Sequence, residues 1–169
     1  MSDSEDKKPE EVEQTANTES STEEQPKEEA KAKPKSNKPK VIVAEDSHVN
    51  RRILVHLLTR MGFEVSVHPD GQQAWDEFKE SAEGDYVCIF SDIMRPALDG
   101  LSLLKAVREE SQHKEIPFVL LTAMSDKDQI LQAKALKVNG YLLKPVEYDK
   151  VKKKMEELFP KMRFPALAA

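Results

Sequence analysis

Residues 86–100 read "YVCIFSDIMRPALDG". The first six form an unbroken apolar run with no alternation, the pattern of a strand covered on both faces, as in a parallel sheet. The run ends on Asp92, a charge at the point where the strand gives out. A Pro-braced loop follows, Asp99-Gly100 closes it, and "LSLLKAVREES" then places its apolar residues at helical spacing. A buried strand that delivers a carboxylate into a loop before a helix is the repeating unit to look for elsewhere.

The unit recurs on both sides. "VIVAED" (41–46) is a short apolar run ended by two acids, and "SHVNRRILVHLLTRMG" carries Ile53, Leu54, Leu57, Leu58 and Met61 at helical spacing, with Gly62 as a stop. "FEVSVH" alternates, as a half-exposed strand does, and "DGQQAWDEFKES" is helical with Ala74, Trp75 and Phe78 on one side. "PFVLLTA" is another apolar strand, opened by Pro117. "SDKDQILQAKALKVN" predicts a helix over 125–139, with Ser125 as N-cap and Gly140 just past its end. "YLLK" is a short strand closed by Pro145, and "EYDKVKKKMEELF" is a helix apolar at Val151, Met155, Leu158 and Phe159. Five strands strictly alternate with five helices. The predicted class is α/β, a doubly wound (βα)5 fold with a five-stranded parallel sheet and helices on both faces.

Residues 40–160 hold this pattern, a sensible size for one domain. Residues 1–39 are almost all Glu, Lys, Ser, Thr, Pro and Gln, and Val12 is their only branched aliphatic residue. Such a segment buries too little apolar surface to offset its ordering entropy, so a disordered charged tail is predicted. Its charge is uneven: residues 1–30 hold eleven acids against Lys7, Lys8 and Lys27, and residues 31–40 hold five lysines and no acid. The plain reading of that block is a solvated spacer rather than a patch for an anionic partner. Residues 161–169 are predicted to be a short C-terminal tail, with Pro160 and Pro165 breaking any helix.

Bulk properties narrow the function classes. The 169 residues carry a formal net charge of −5, which argues against nucleic acid as a partner of the whole chain. The single cysteine, Cys88, cannot form an internal disulfide, which fits a reducing compartment. No apolar stretch approaches the roughly 18–20 residues of a membrane span, and the N-terminus lacks the apolar core of a signal peptide. A cytoplasmic protein is expected.

In an open α/β sheet, ligands bind beyond the carboxyl ends of the strands. Those ends carry Glu45-Asp46, Asp92, Thr122 and Lys144, with only His68 and Asp70 after the second strand. Clustered carboxylate oxygens suit a hard divalent cation, and Mg²⁺ typically takes one or two carboxylates together with phosphate oxygens. A lysine neutralises added negative charge, and a hydroxyl can bond a phosphoryl oxygen. The set suits phosphoryl transfer to a carboxylate.

With these residues in the order Glu45-Asp46, "SDIMRPALDG" around Asp92, Thr122 after "VLL", and Lys144-Pro145, residues 41 to about 160 resemble the receiver domain of bacterial two-component response regulators, of the stand-alone chemotaxis type. The resemblance implies the flavodoxin-like strand order 2-1-3-4-5. It implies that Asp92 takes a phosphoryl group from a histidine kinase or histidine phosphotransfer protein. Asp46, Asp92 and the Met94 carbonyl would hold Mg²⁺, with Glu45 acting directly or through water. Lys144 would pair with the phosphoryl group, Thr122 would turn inward to bond it, and Tyr141 would be the switch aromatic that follows Thr122. The Lys144-Pro145 peptide would be cis.

Particular residues also admit other readings. Alone, Lys144 could be a surface lysine before a turn, Thr122 a strand-end cap and Tyr141 plain packing. The four histidines are scattered, and His56 has no second ligand at metal spacing. A dehalogenase-type phosphatase needs a second acid two residues past its nucleophile, where Met94 stands. A P-loop is absent. A phosphorylation-independent binding module is the remaining alternative. Met94 and Met124, two residues past Asp92 and Thr122, are expected to hinder an attacking water and lengthen the phosphoryl lifetime. With no output domain after residue 160, the expected output is altered binding on the face of the fourth helix, fifth strand and fifth helix, including Lys134, Lys137, Tyr141 and Lys150.

Overall fold

The computed structural model describes residues 37–93, 97–123 and 127–166. The predicted disordered tail lies almost wholly outside the described residues, as do Met94, Met124 and the Ser125 cap. The elements run β1 (Lys40–Ala44), α1 (His48–Arg60), β2 (Glu64–His68), α2 (Gly71–Glu80), β3 (Tyr86–Asp92), α3 (Gly100–Glu109), β4 (Phe118–Thr122), α4 (Lys127–Ala135), β5 (Gly140–Leu143) and α5 (Tyr148–Leu158). All neighbouring strands pair in parallel, in the order β2-β1-β3-β4-β5.

Strand periodicity divides the core into two layers. On β1, Val41 and Val43 join α1 and α5 through Leu54, Leu58, Val151 and Met155. Ile42 and Ala44, one residue out of phase, join Ala74, Phe78, Leu104 and Ala133 of α2, α3 and α4. The central strand β3 sends Cys88 and Phe90 to the first layer and Ile89 to the second. That two-sided burial is why its sequence shows no polar alternation.

Helix starts follow local capping chemistry. The Ser47 hydroxyl accepts from the Asn50 N–H at 3.5 Å, Asp70 from Gln73 at 2.8 Å, and Asp99 from Ser102 at 2.7 Å. Two details depart from the sequence reading. Ile53, expected in the buried stripe of α1, is 40% exposed. The fourth helix stops at Ala135 rather than running to Asn139. There Lys137 adopts a left-handed conformation (φ 56°), and the Val138 N–H returns to the Ala133 carbonyl at 3.1 Å, a helix-ending turn. Gly140 is therefore the first residue of β5 and not a cap. A Cβ there would stand 2.8 Å from Cδ of Lys154, so the missing side chain makes room for the lysine stem of α5.

Beyond α5 the chain turns back. The Met162 N–H bonds the Phe159 carbonyl at 2.9 Å, and Phe164 is buried with its ring centroid 5.8 Å from that of Phe63. The Tyr148 hydroxyl donates to the Pro165 carbonyl at 2.5 Å. No helix among the described residues is long and apolar enough to cross a membrane.

Candidate functional site

The parallel sheet brings the carboxyl ends of β1, β3, β4 and β5 to one edge, and the polar residues singled out in the sequence stand there. Glu45 is fully buried just after β1, Asp92 is nearly so at the end of β3, and Thr122 is buried at the end of β4. Oxygens of Glu45, Asp46 and Asp92 all lie within 4.8 Å of one another. The Lys144 ammonium reaches across from the end of β5, 2.8 Å from Oδ2 of Asp92 and 2.9 Å from Oε2 of Glu45.

Three converging carboxylates would repel one another without that cation. Burial pushes the Glu45 carboxyl above its ordinary pKa; Lys144 pulls against this, and the Asp92 charge adds to it. Burial works against the charge of Lys144, but the hydrogen bond to Asp92 and the close Glu45 carboxylate outweigh it and hold the ammonium above the usual lysine value. Lys144 is thus a fixed positive charge in the acid cluster. Oε2 of Glu45 is buried and takes no aligned hydrogen bond, meeting the ammonium only as an ion pair. An all-oxygen donor set with one such atom fits a small, hard divalent cation.

The loop that shapes the site depends on a close approach. A Cβ at Gly100 would fall 2.3 Å from the Asp92 carbonyl oxygen, so only glycine lets α3 begin directly against the end of β3. The Gly100 N–H bonds the Ile93 carbonyl at 3.0 Å and closes the loop.

Thr122 stands beside Lys144, whose N–H bonds the Thr122 carbonyl at 2.8 Å, and its hydroxyl donates to the Ala123 carbonyl at 3.1 Å. The Lys144-Pro145 peptide is cis. Tyr141 is not in the acid cluster: it is 41% exposed, on the groove it shares with Lys150, Lys153 and Lys154. Met94 and Met124, with the carbonyl ligand and the two flanking side chains they were expected to supply, lie outside the described residues.

Three groups that hold Glu45 were not found in the sequence. The Ser47 N–H donates to Oε1 of Glu45 at 3.0 Å, the Arg51 guanidinium to its carbonyl at 3.2 Å, and its own N–H donates to the His68 carbonyl at 3.2 Å. Ser47 was legible as a helix cap, since it directly precedes a periodic run. Arg51 and the His68 carbonyl gave no signal, because their contacts depend on how side chain and strand come together in space.

The response regulator receiver domain model matches residues 41–156, and the chain belongs to that family. It is similar to chemotaxis protein CheY1 of Helicobacter pylori, at 35% identity over 118 residues, 69% of this chain and 94% of that protein. Among solved structures, chemotaxis protein CheY4 of Vibrio cholerae superposes with a TM-score of 0.65 at 29% identity, covering 72% of this chain and 98% of that one. The receiver domain of sensor histidine kinase PA1611 from Pseudomonas aeruginosa, solved with a magnesium ion coordinated in its active-site cleft, gives a TM-score of 0.65 at 26% identity, covering 73% of this chain and 99% of that one. The fold is therefore that of a receiver domain of the CheY-like response regulators of two-component signalling.

Proposed function

We propose that this protein is a phospho-accepting response regulator in which Asp92 is the acceptor. The observation that carries the reading is the Lys144 ammonium held between Asp92 and Glu45, beside Asp46, at the carboxyl edge of the sheet. Glu45, Asp46, Asp92 and the Met94 carbonyl would hold Mg²⁺. The magnesium ion coordinated in the cleft of the PA1611 receiver supports that assignment. When bound, Mg²⁺ supplies positive charge against the oxygens of the transferring phosphoryl group.

A carboxylate oxygen of Asp92 attacks phosphorus, a new P–O bond forms, and the P–N bond to the donor histidine breaks. The imidazole leaves with the bonding pair and takes a proton. Lys144 pairs with Asp92 before the step and with a phosphoryl oxygen after it. Thr122 gives up its local bond to Ala123 and donates to another phosphoryl oxygen, and Tyr141 leaves its exposed position in turn. The protein catalyses only its own phosphorylation and dephosphorylation, in the cytoplasm, with residues 40–160 as the working domain, closed over by the returning Phe164, and 1–39 as an appendage.

The donor is a sensor histidine kinase or histidine phosphotransfer protein. The output is altered binding of a protein on the face of α4, β5 and α5. On these elements Leu131, Tyr141 and Leu143 are exposed, and so are Lys134, Lys137 and Lys150. Phosphorylation biases a two-state equilibrium that the partner reads.

The test is intact mass after incubation with Mg²⁺ and acetyl phosphate. One phosphoryl adduct is expected on the wild type, and none on Asp92→Asn or in a metal-free sample. An adduct that persists on Asp92→Asn would assign the acceptor elsewhere. No adduct from either acetyl phosphate or a kinase would favour a phosphorylation-independent binding module.

A further inference from the structure

We infer that Arg51 is a positioning residue for the metal-binding acid Asp46, acting through the Glu45 carbonyl; the inference rests on the Mg²⁺-dependent acceptor reading above. The three acids are not held alike. Both carboxylate oxygens of Glu45 are engaged, Oε1 by the Ser47 N–H and Oε2 by Lys144. Asp92 is fixed by its strand and by Lys144. Asp46 is exposed, and among the described residues its side chain has no hydrogen bond or ion pair. Its place beside the other two is therefore set by backbone alone.

The backbone that sets it is the Glu45–Asp46 peptide unit. One end of Glu45 is fixed where its N–H meets the His68 carbonyl at 3.2 Å. The carbonyl of that same peptide unit accepts from Nη1 of Arg51 at 3.2 Å. Rotating the peptide plane would swing both this oxygen and Asp46, so a charge-assisted bond on the oxygen fixes the acid. Arg51 sits in the first turn of α1, where its own N–H bonds the Ser47 carbonyl at 2.9 Å, so the guanidinium reaches back from a rigid base. It forms no ion pair among the described residues, so this carbonyl is its one polar contact there.

The sign of the effect separates positioning from plain electrostatics. A cation near a metal site repels the metal, so removing it should tighten Mg²⁺ binding on charge grounds alone. Loss of a group that orients a ligand weakens binding, by about tenfold for groups one shell out. Mg²⁺ would be titrated calorimetrically into the metal-stripped full chain, as wild type, Arg51→Met, Arg51→Lys, Asp46→Asn and the Arg51→Met/Asp46→Asn pair. Methionine keeps the apolar stem and so guards against loss of packing. The expected result is about tenfold weaker binding for Arg51→Met and substantial recovery in Arg51→Lys. In the Asp46→Asn background Arg51→Met should cause no further loss. Equal or tighter binding by Arg51→Met, or an undiminished loss in that background, overturns the inference and leaves the acceptor reading standing. A wild type that takes up no Mg²⁺ overturns both.

Discussion

At the scale of single residues, the site is an arrangement of charges that need one another. Lys144 offsets two carboxylates, one of them fully buried. Replacing it by methionine leaves the buried Glu45 carboxyl without its cation, at a cost of roughly 2 kcal/mol whether it stays ionised or takes up a proton. Urea unfolding of Lys144→Met in chelator should show that loss, and added Mg²⁺ should restore much of it by binding the native acids alone. Two other residues set a rate rather than a stability. Met94 and Met124 are apolar at the positions expected to flank the phosphoryl group, so Met94→Glu with Met124→Gln should shorten the phospho-Asp92 half-life by about an order of magnitude, through better orientation of water. Decay of the phosphoprotein mass peak measures this, and an unchanged half-life would mean the methionines block nothing. Asp92, Asp46, Thr122 and Lys144 could be picked out as candidates from the sequence because each stands at or within two residues of the carboxyl end of a strand, the edge where ligands of an open α/β sheet bind.

At the scale of elements, the second strand, second helix and third strand are knotted by one carboxylate. Glu77 of α2 accepts from Ser66 of β2 at 2.7 Å and from the Tyr86 hydroxyl of β3, and meets His68 at 3.0 Å. Burial alone would raise its pKa, yet bonds from Tyr86 and Ser66 and the neighbouring His68 outweigh it and bring it below the ordinary glutamate value of 4.5. A depressed acid pKa means that the unfolded chain binds the proton more readily. The stabilisation is thus present above pH 4.5 and is lost as pH falls through the folded value. The Glu77 side chain is 38% exposed, so solvent screening trims the effect and Glu77→Gln should cost about 0.5–1 kcal/mol at neutral pH. The gap from wild type should narrow as pH falls through that window, as followed by urea unfolding across pH; a gap constant with pH would show that geometry, not ionisation, holds the knot. The sequence marked α2 by its apolar side, Ala74, Trp75 and Phe78, and said nothing of Glu77. Its three partners lie nine to eleven residues away on two different strands.

At the scale of the whole molecule, the family match ends at residue 156, yet the core does not. Phe164 fills the layer between α1 and α5 against Phe63, and Pro165 accepts from Tyr148 at the start of α5. Phe164→Ala should destabilise the domain by about 2–4 kcal/mol, read from the urea midpoint at unchanged slope; a shift near zero would mean that the segment merely rests on the surface. From the sequence, the two prolines told only that no helix continues there, not that the chain turns back onto an apolar layer. Likewise Lys137 gave no sign that it would end α4 early, since the left-handed turn is selected by where Val138 can pack. What the sequence settled by itself was the α/β class, the five strands and helices in order and the acids at their ends, because strand and helix periods and turn residues act over a few neighbouring positions. Tertiary structure alone decided the anchoring of Glu45 by Arg51 and His68, the Glu77 knot and the return of Phe164. In each case the partner is chosen by proximity across elements, and residues distant in the chain carry no local mark of who will face them.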